Sequence, residues 1–461
     1  MIPASRVVAR ANNSSMHGFS TVRVLGVFVC LILLGVPDAR STGTSDARRH
    51  VDSKWLQDSL EKLGEFGRNP EGGVTRLGLS QTELDARTYV MGLMKEAGLE
   101  VRVDTAGNIF GRRRGSAPIP ALLFGSHIDS VPHGGNFDGA LGSLGAIEVI
   151  RALNDNHVAT RHPLEVVIWT SEEGPHFGIS AFGSSVAAGT LGPEILDRKD
   201  EEGATVADWL KRYGQDPTRL TDARIPQGTL AAVLELHIEQ GPILEETRVK
   251  IGVVQGIVGL KRWKCVVTGV ANHAGTTPMN RRHDALATAA KDLLAVRDVV
   301  RGETGTQVGT VGYMKAEPGA PNVIPGRVEF PFEVRDLDAA KIELMAEQIK
   351  QKFSQIDKEE GVDTQCAVVN DIEPALSTPA IQTAIREAAQ SANLSTTDLP
   401  SGAVHDAGEI SRIAPMGMIF VPSRGGISHA PKEFTSAEDC ANGVEVLYRT
   451  ILLLDRRLQP K

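Results

Sequence analysis

A short apolar run that ends in polar residues constrains this chain more than any other stretch. Residues 121–124 are apolar and lead directly into Ser126-His127-Ile128-Asp129. A glycine-rich turn then brings Asp138, and a run of small residues follows. This order predicts a strand, a loop and a helix, and such a unit can direct His and Asp side chains toward one metal ion. A His at a strand end is more often an ordinary polar residue, so both interpretations stay open at this point.

Composition narrows the class of protein. The chain has 461 residues, 41% hydrophobic and 23% charged, which is typical of a soluble protein with two or more domains. The net charge of -8 argues against non-specific binding to nucleic acid. The four cysteines are far apart, so we expect neither a disulfide framework nor a thiolate metal site. Any metal is therefore expected to be held by His and carboxylates.

The N-terminus has the pattern of a targeting segment. Residues 22–36 contain an apolar core of about thirteen residues with basic residues before it, too short for a comfortable membrane span but suited to a secretory signal. We predict that residues 1–48 are a signal peptide with a disordered N-terminus, and that the protein is exported, either periplasmic or secreted. A buried strand or an uncleaved anchor is the alternative; without a real signal the protein is cytoplasmic. No stable membrane partner is expected.

From residue 51 onward, strands and helices alternate, which predicts an α/β fold with a largely parallel or mixed sheet. The predicted elements are helices at 55–66, 80–96 (opened by a Ser80–Glu83 capping box), 139–153 and 204–213, and strands at 99–103, 121–125, 164–170 and 230–236. In such sheets, binding sites form beyond the carboxyl ends of the strands. His127, Glu172 and His237 all fall at such ends. Glu172 and Glu173 are adjacent and point in different directions, so one can bind a metal while the other faces substrate; a solvated acidic loop is the alternative.

The middle of the chain has a different sequence pattern. Valine-rich alternation begins near residue 251. It is followed by a predicted helix at 281–300, strands at 306–313 and 327–335, a helix at 339–356 and a strand at 364–369. This order favours a compact α+β unit with an antiparallel sheet. We therefore predict a catalytic domain at 49–248 and 368–461, interrupted by an inserted domain at 249–367. The final part carries a helix at 379–391, a strand at 417–422 and a helix at 437–454.

The candidate functional residues combine imidazoles with carboxylates. They are His127, Asp138, Glu172, Glu173, His237 and His429. This ligand mixture suits Zn, Mn or Co rather than Ca or Mg. Three His and two acids exceed the three protein ligands of one catalytic zinc ion, and they fit two metals roughly 3.5–4 Å apart. A carboxylate that is not a ligand can then move a proton. Asp129 is placed to hold the imidazole of His127.

Seven separated stretches resemble one family. They are GSHIDSVPHGGNFDGALG, TSEEGPHFG, ELHIEQGPILE, GVANHAGTTPMNRRHDA, PNVIPGRVEFPFEVRDLD, SGAVHDA and SRGGISHAP. Together they resemble the M20-type dinuclear metallohydrolases, in particular the amidase/hydantoinase–carbamoylase group, in family order from about residue 53 onward. The resemblance implies two divalent metal ions, most often zinc, with manganese or cobalt as alternatives. It also implies a homodimer joined through an inserted domain that closes as a lid.

The resemblance assigns roles residue by residue. His127 and Glu173 resemble terminal metal ligands, Asp138 the bridging carboxylate, and His237 and His429 the remaining ligands. Glu172 resembles the general base, and His273 resembles the histidine that stabilises the oxyanion. The implied substrate-binding set is Gln240, Asn322, Arg335, Ser401 and Gly402, with Arg335 taking the substrate carboxylate. His405 is as well explained by a structural role, and His133 by an ordinary loop position.

The resemblance implies hydrolysis of a small carbamoyl or ureido substrate. The leading expectation is conversion of an N-carbamoyl-L-amino acid to the amino acid, CO₂ and ammonia. Allantoate or ureidoglycolate hydrolysis is the alternative within the class, and a dipeptidase or aminopeptidase, or a non-enzymatic ureide-binding protein, lies further away. Pro175-His176, Ser185 and Val404 depart from common family residues, and Val404 stands where Gly is frequent, which puts the substrate preference in doubt.

Overall fold

A computed structural model describes residues 50–458. Its helices are α1 (Ser53–Leu63), α2 (Gln81–Glu96), α3 (Ala140–Asp155), α4 (Phe182–Ala188), α5 (Val206–Arg212), α6 (Ile243–Thr247), α7 (Ala285–Gly302), α8 (Ala339–Glu360), α9 (Pro379–Ser391), α10 (Asp406–Ile410) and α11 (Ala437–Arg457). Its strands are β1 (Glu100–Val103), β2 (Ile109–Arg113), β3 (Ala121–His127), β4 (Leu164–Trp169), β5 (Leu230–Ile238), β6 (Ile251–Ile257), β7 (Gly259–Thr268), β8 (Asn272–His273), β9 (Val308–Thr310), β10 (Lys315–Glu317), β11 (Val323–Ile324), β12 (Arg327–Asp336), β13 (Asp363–Ile372), β14 (Ala375–Leu376), β15 (Thr396–Ser401) and β16 (Met416–Val421).

The larger sheet has the order β1-β2-β4-β3-β5-β16-β6-β14, and β15 pairs with β6. Its central strands β4, β3, β5 and β16 are parallel and almost entirely buried. Helices α1, α2, α3, α9 and α11 contribute to the core with this sheet. Because the central strands are parallel, their carboxyl ends lie at one edge. The predicted mixed-sheet α/β fold is confirmed.

The second sheet has the order β10-β12-β7-β13, and β9 also pairs with β12. Every second residue of β12 is buried, and these residues pack with α7 and α8 in a separate core. Strands β8 and β11 form a two-stranded ribbon beside it. This is the antiparallel α+β arrangement that the sequence predicts for the middle of the chain, and we call residues 259–372 the inserted segment.

The observed limits of the inserted segment differ from the predicted 249–367. Strand β6 pairs with β14, β15 and β16 in the larger sheet, whereas β13 continues in the second sheet as far as Ile372. Valine-rich sequence runs through both β6 and β7. Such a composition indicates a strand but not which sheet the strand joins, so the sequence alone does not locate these limits.

Two cysteines in the inserted segment form a disulfide. Cys265 of β7 and Cys366 of β13 are register partners on neighbouring strands and are bonded to each other. The expectation that the cysteines lack a disulfide framework misses this bond. The two residues are 101 positions apart, and only the pairing of β7 with β13 brings them together.

Local signals placed most elements correctly, with instructive differences. The helix predicted from 281 begins at Ala285, because the Asp284 carboxylate accepts hydrogen bonds from the backbone N–H groups of Leu286 and Ala287. At α2, Ser80 caps as predicted, but Glu83 accepts from the N–H of Leu79 instead of completing the box. Strands β2 and β15 and helix α4 were not predicted from the sequence.

The predicted signal segment, residues 1–48, lies outside the described residues. Within residues 50–458, the helices lack the combination of length and apolar character that a membrane crossing requires.

We expect the buried Asp292 to make the stability of the inserted segment depend on pH. It is fully buried in α7, and burial together with the nearby charge of Asp357 raises its pKa from 3.8 to about 7. Between these two values the unfolded chain releases the proton first, so stability falls as pH rises and the full penalty applies above the folded pKa. Asp292→Asn removes this penalty, so we expect it to raise the free energy of unfolding above that of wild type at about pH 8. This gain should exceed the gain at about pH 4 by on the order of 2–4 kcal/mol. Urea unfolding at both pH values measures this, and an equal difference at both would contradict it.

Candidate metal centre

The predicted ligands meet at the carboxyl edge of the larger sheet. His127 is the last residue of β3, His237 lies near the end of β5, and Glu172 and Glu173 follow β4. Asp138 lies in the loop before α3, and His429 lies in the loop between β16 and α11. Parallel strand order therefore explains why segments distant in sequence supply one site.

Asp138 lies between two groups of donors. Its Oδ1 is 3.0 Å from Nε2 of His237 and 3.5 Å from Nε2 of His127. Its Oδ2 is 3.3 Å from Nε2 of His429, which is itself 3.3 Å from Oε2 of Glu173. Each group has three possible ligand atoms within 4.8 Å of one another. The carboxylate thus offers one oxygen to each group, which is the arrangement of a bridging ligand.

The tautomers fit metal binding. The Nδ1–H of His127 faces the carbonyl oxygen of Asp129 at 3.2 Å, and that of His237 faces the carbonyl of Ile238 at 2.9 Å. When the rings are neutral, these contacts place the proton on Nδ1, and Nε2 of each ring, which faces Asp138, is then the atom that can bind a metal. Within the described part of the chain, Oε1 of Glu173 is buried without a hydrogen-bond partner. A cation bound in each group would give these nitrogen and oxygen atoms a partner, so the residues fit metal ions.

The concentration of carboxylates favours positive charge here. Burial lowers the pKa of His127, but hydrogen bonds to Asp129 and Asp138 outweigh it and raise that pKa well above its usual range. Burial also opposes ionisation of Asp138, yet the charge of His237 and the hydrogen bonds from the three imidazoles hold its pKa well below normal. For Glu173, burial and the Asp138 charge raise the pKa to about 7. Protons or metal ions can supply the positive charge that these groups attract.

Glu172 stands beside the donors but belongs to neither group. Its Oε2 is 3.8 Å from Nε2 of His127. Burial raises the pKa of Glu172 well above its usual range, the neighbouring His127 opposes this, and the charges of Asp406 and Glu173 add to it. A carboxyl with a raised pKa that is not a ligand is suited to exchange protons.

Asp129 aligns the two glutamates with His127. Its Oδ1 accepts a hydrogen bond from the N–H of Glu172 and its Oδ2 accepts one from the N–H of Glu173, both at 3.1 Å. Oδ1 also lies 3.4 Å from Nδ1 of His127. The structure therefore places Asp129 where the sequence predicts a supporting residue.

Three residues around the centre have unusual backbone conformations. Ser171, Gln240 and His429 all have positive φ values, of 54°, 55° and 54°. Such values are uncommon for residues other than glycine, and they often mark functional sites. Gly139 also has positive φ, and a Cβ there would lie 2.4 Å from the ring of His127. A glycine is required at this position for the imidazole to approach the loop.

A carboxylate that was not predicted from the sequence joins two loops of the site. Oε1 of Glu433 accepts hydrogen bonds from the N–H groups of Phe137 and Asp138, at 2.9 and 3.0 Å. Its Oε2 is 2.7 Å from the Ser428 hydroxyl, which is also 3.0 Å from Oδ2 of Asp138. Glu433 therefore ties the His429 loop to the Asp138 loop. In the sequence, its position four residues after His429 was the one sign that Glu433 could belong to the site.

His405 packs beside His237. Its ring is 4.5 Å from that of His237, and its Nε2 is 2.8 Å from the Ser401 hydroxyl. Burial, with the nearby charge of His237, lowers the pKa of His405 well below normal. Glu235 completes a third possible donor group with His237 and His405. Its two oxygens already accept bonds from Ser126 and from the N–H of Ala407.

A cavity of about 720 Å³ opens above the donors. Of the predicted substrate-binding residues, Gln240, Arg335 and Gly402 line it. Nη1 of Arg335 donates to the carbonyl of Gly402 at 3.0 Å, so the inserted segment contacts the rest of the site there. Ser401 is buried and does not line this cavity, and its hydroxyl lies within hydrogen-bonding distance of His405 and Ala403. The prediction that Ser401 binds substrate is therefore not supported by its position.

His273 and Asn322 are close to each other but are not among the residues that line the cavity. Both belong to the ribbon region of the inserted segment, where the N–H of Ala274 donates to the carbonyl of Asn322. Both are exposed. Nδ1 of His273 accepts from the N–H groups of Gly275 and Thr276, which leaves Nε2 as the donor.

The departures from the family pattern differ in position. His176 packs against Phe177 and Trp209, with Nε2 3.2 Å from Oδ2 of Asp200, and so anchors the loop that follows Glu173. Pro175 and Ser185 do not line the cavity, whereas Val404 does.

The fold and the shared carboxylate define a metal-dependent hydrolase, and comparison with known proteins agrees. The model of the peptidase family M20/M25/M40 matches residues 123–453. An N-carbamoyl-L-amino acid amidohydrolase from Geobacillus stearothermophilus is 44% identical over 87% of this chain and 98% of its own. A ureidoglycolate hydrolase from Arabidopsis thaliana is 39% identical over 88% of this chain and 87% of its own.

Solved structures give the same result. A hydantoinase/carbamoylase-family amidase from Burkholderia multivorans superposes with a TM-score of 0.84 at 40% identity, covering 89% of this chain and 99% of that one. The chain belongs to the M20/M25/M40 peptidase family.

Proposed function

We propose that this enzyme hydrolyses the carbamoyl C–N bond of N-carbamoyl-L-amino acids, giving the amino acid, CO₂ and ammonia. The observation that carries the proposal is the pair of donor groups that share Asp138, with Glu172 beside them and outside both. The similarity to an N-carbamoyl-L-amino acid amidohydrolase over nearly the whole of that protein supports it.

The residues that would hold metal are His127, Asp138 and His237 in one group and Asp138, Glu173 and His429 in the other. We propose two divalent ions, zinc first, with manganese and cobalt as the alternatives that this ligand set also accepts. When bound, such ions supply Lewis-acid activation of water and of the scissile carbonyl.

Glu172 is proposed as the proton carrier. It would take the proton of the attacking water and deliver it to the leaving nitrogen, a role worth about 10²–10⁴-fold in rate. Asp129 holds the backbone of Glu172 in place through Oδ1. Glu172 is almost completely buried, which limits competing proton exchange with bulk water.

Arg335 is proposed to bind the substrate carboxylate. Its Nε and Nη2 donate to Oε1 of Glu333 at 3.0 and 2.9 Å, and Nη1 donates to Gly402. Five N–H donors are available on a guanidinium, so some remain for a substrate carboxylate in the cavity. Gln240, whose Nε2 donates to Asp138 at 2.6 Å, is proposed to contact the carbamoyl end.

We propose that a homodimer completes the site through the inserted segment. Strand β13 is an edge strand of ten residues, and it exposes Val368 and Val369. An open edge of this kind is a template for pairing with another chain. Closure of the inserted segment would bring His273 and Asn322 to a substrate, with Nε2–H of His273 facing the oxyanion. Sedimentation equilibrium tests this proposal, and a monomer at catalytic concentrations would contradict it.

Export to an oxidising compartment is also proposed. The disulfide between Cys265 and Cys366 supports it, because such bonds are rare in reducing compartments. Fractionation of the native host tests it. Full-length protein that remains in the cytoplasm, with both thiols open to alkylation before reduction, would contradict the proposal.

A substrate panel tests the proposed reaction. Ammonia release from metal-loaded enzyme is measured on N-carbamoyl-L-amino acids, allantoate, ureidoglycolate and dipeptides. We expect the highest kcat/KM on an N-carbamoyl-L-amino acid. The 39% identity to a ureidoglycolate hydrolase makes that ureide the second candidate, and a clear preference for it would replace the leading assignment.

A further inference from the structure

Five of the residues that line the cavity are apolar, and we call them the apolar wall. They are Ile243 at the start of α6, Leu399 and Pro400 near the end of β15, and Ala403 and Val404 after it. Ile243 and Val404 are 45% and 42% exposed, although both line a cavity that also contains the metal donors. These two side chains therefore present apolar surface to whatever occupies the cavity.

The charged groups that line the cavity already have partners or proposed roles. Apart from the metal donors and Glu172, the acidic side chain of the described lining is Glu239, whose carboxylate accepts bonds from the N–H groups of Ile243 and Leu244. Among the described lining residues, Arg335 is the one guanidinium or ammonium group, and it is proposed for the first carboxylate. A substrate with a second charged or strongly polar arm would place that arm against the apolar wall at a desolvation cost.

We propose that Ile243 and Val404 form the subsite for the α-side chain of the substrate, and that it selects N-carbamoyl amino acids with aliphatic side chains. This rests on the proposed function and adds the class of side chain. Each buried methylene contributes about 0.8 kcal/mol on leaving water, so contact with two branched residues favours leucine-like substrates over glycine. A glycine at position 404 would remove the Val404 part of this contact.

The test uses polar substitutions in the apolar wall. Val404→Thr replaces a methyl group with a hydroxyl at the same size, and Ile243→Thr replaces an ethyl group with a hydroxyl. We expect each to lower kcat/KM for N-carbamoyl-L-leucine by roughly three- to tenfold, and the double variant to lower it further. The value for N-carbamoylglycine, which has no side chain to contact the wall, is expected to stay within about twofold of wild type.

Val270→Thr is the matched control, because Val270 is 54% exposed and does not line the cavity. Its ratio of kcat/KM for the two substrates should equal that of wild type. Wild-type turnover of both substrates with an unchanged ratio in the Val404 and Ile243 variants would overturn the subsite alone. A wild-type preference for N-carbamoyl-L-aspartate over N-carbamoyl-L-leucine would do the same. Failure of metal-loaded enzyme to hydrolyse any carbamoyl amino acid would instead overturn the proposed function, and the subsite with it.

Discussion

Glu172→Gln is expected to lower kcat on a carbamoyl substrate by about 10²–10⁴-fold while the metal content stays unchanged. The amide keeps the size of the side chain but cannot accept the proton of water. Glu172 lies in neither of the two donor groups, so its loss should not release metal. Steady-state kinetics and elemental analysis of the same preparation measure both quantities.

Glu165→Gln is the matched control. Glu165 is a buried glutamate at the opposite end of the same strand, β4, where it pairs with Arg112. We expect its kcat to remain close to that of wild type. If Glu172→Gln turned over substrate at the wild-type rate with its metals bound, the assignment of Glu172 as proton carrier would be wrong.

Asp138→Asn is expected to lose bound metal and activity together. The carboxylate offers one oxygen to each donor group, so its neutral isostere weakens both. Loss of a shared anionic ligand removes several kcal/mol of stabilisation, so we expect kcat to fall by about 10³-fold or more. Equilibrium dialysis followed by elemental analysis should show a metal content well below that of wild type.

Asp292→Asn serves as the control for this substitution, because it makes the same change at a buried Asp outside the site. Its metal content and kcat are expected to match those of wild type. Retention of a full metal complement by Asp138→Asn after dialysis would show that Asp138 is not shared between the ions.

Much of the site was predictable because its chemistry is carried by short local patterns. An apolar strand followed by His127, and another followed by Glu172 and Glu173, each specify both a buried strand and the residue at its end. Parallel strands then bring such ends to one edge. Neither step required knowledge of contacts between distant residues.

Other features depended on pairings that local sequence does not encode. The Cys265–Cys366 bond required β7 and β13 to be neighbours. The limits of the inserted segment required β6 to join the larger sheet rather than the second one. A valine-rich strand can belong to either sheet, so the choice between sheets comes from packing and hydrogen bonding between segments far apart in the chain.

The sequence by itself determined the α/β class and the candidate donor residues, because residue type and strand periodicity are local properties. Only the tertiary structure decided how these residues share contacts. It placed one oxygen of Asp138 with each group, attached Glu433 to the backbone of Phe137 and Asp138, and put Val404 rather than Ser401 on the cavity wall. Such contacts arise from packing between segments hundreds of residues apart, where distance and orientation are set by the whole fold.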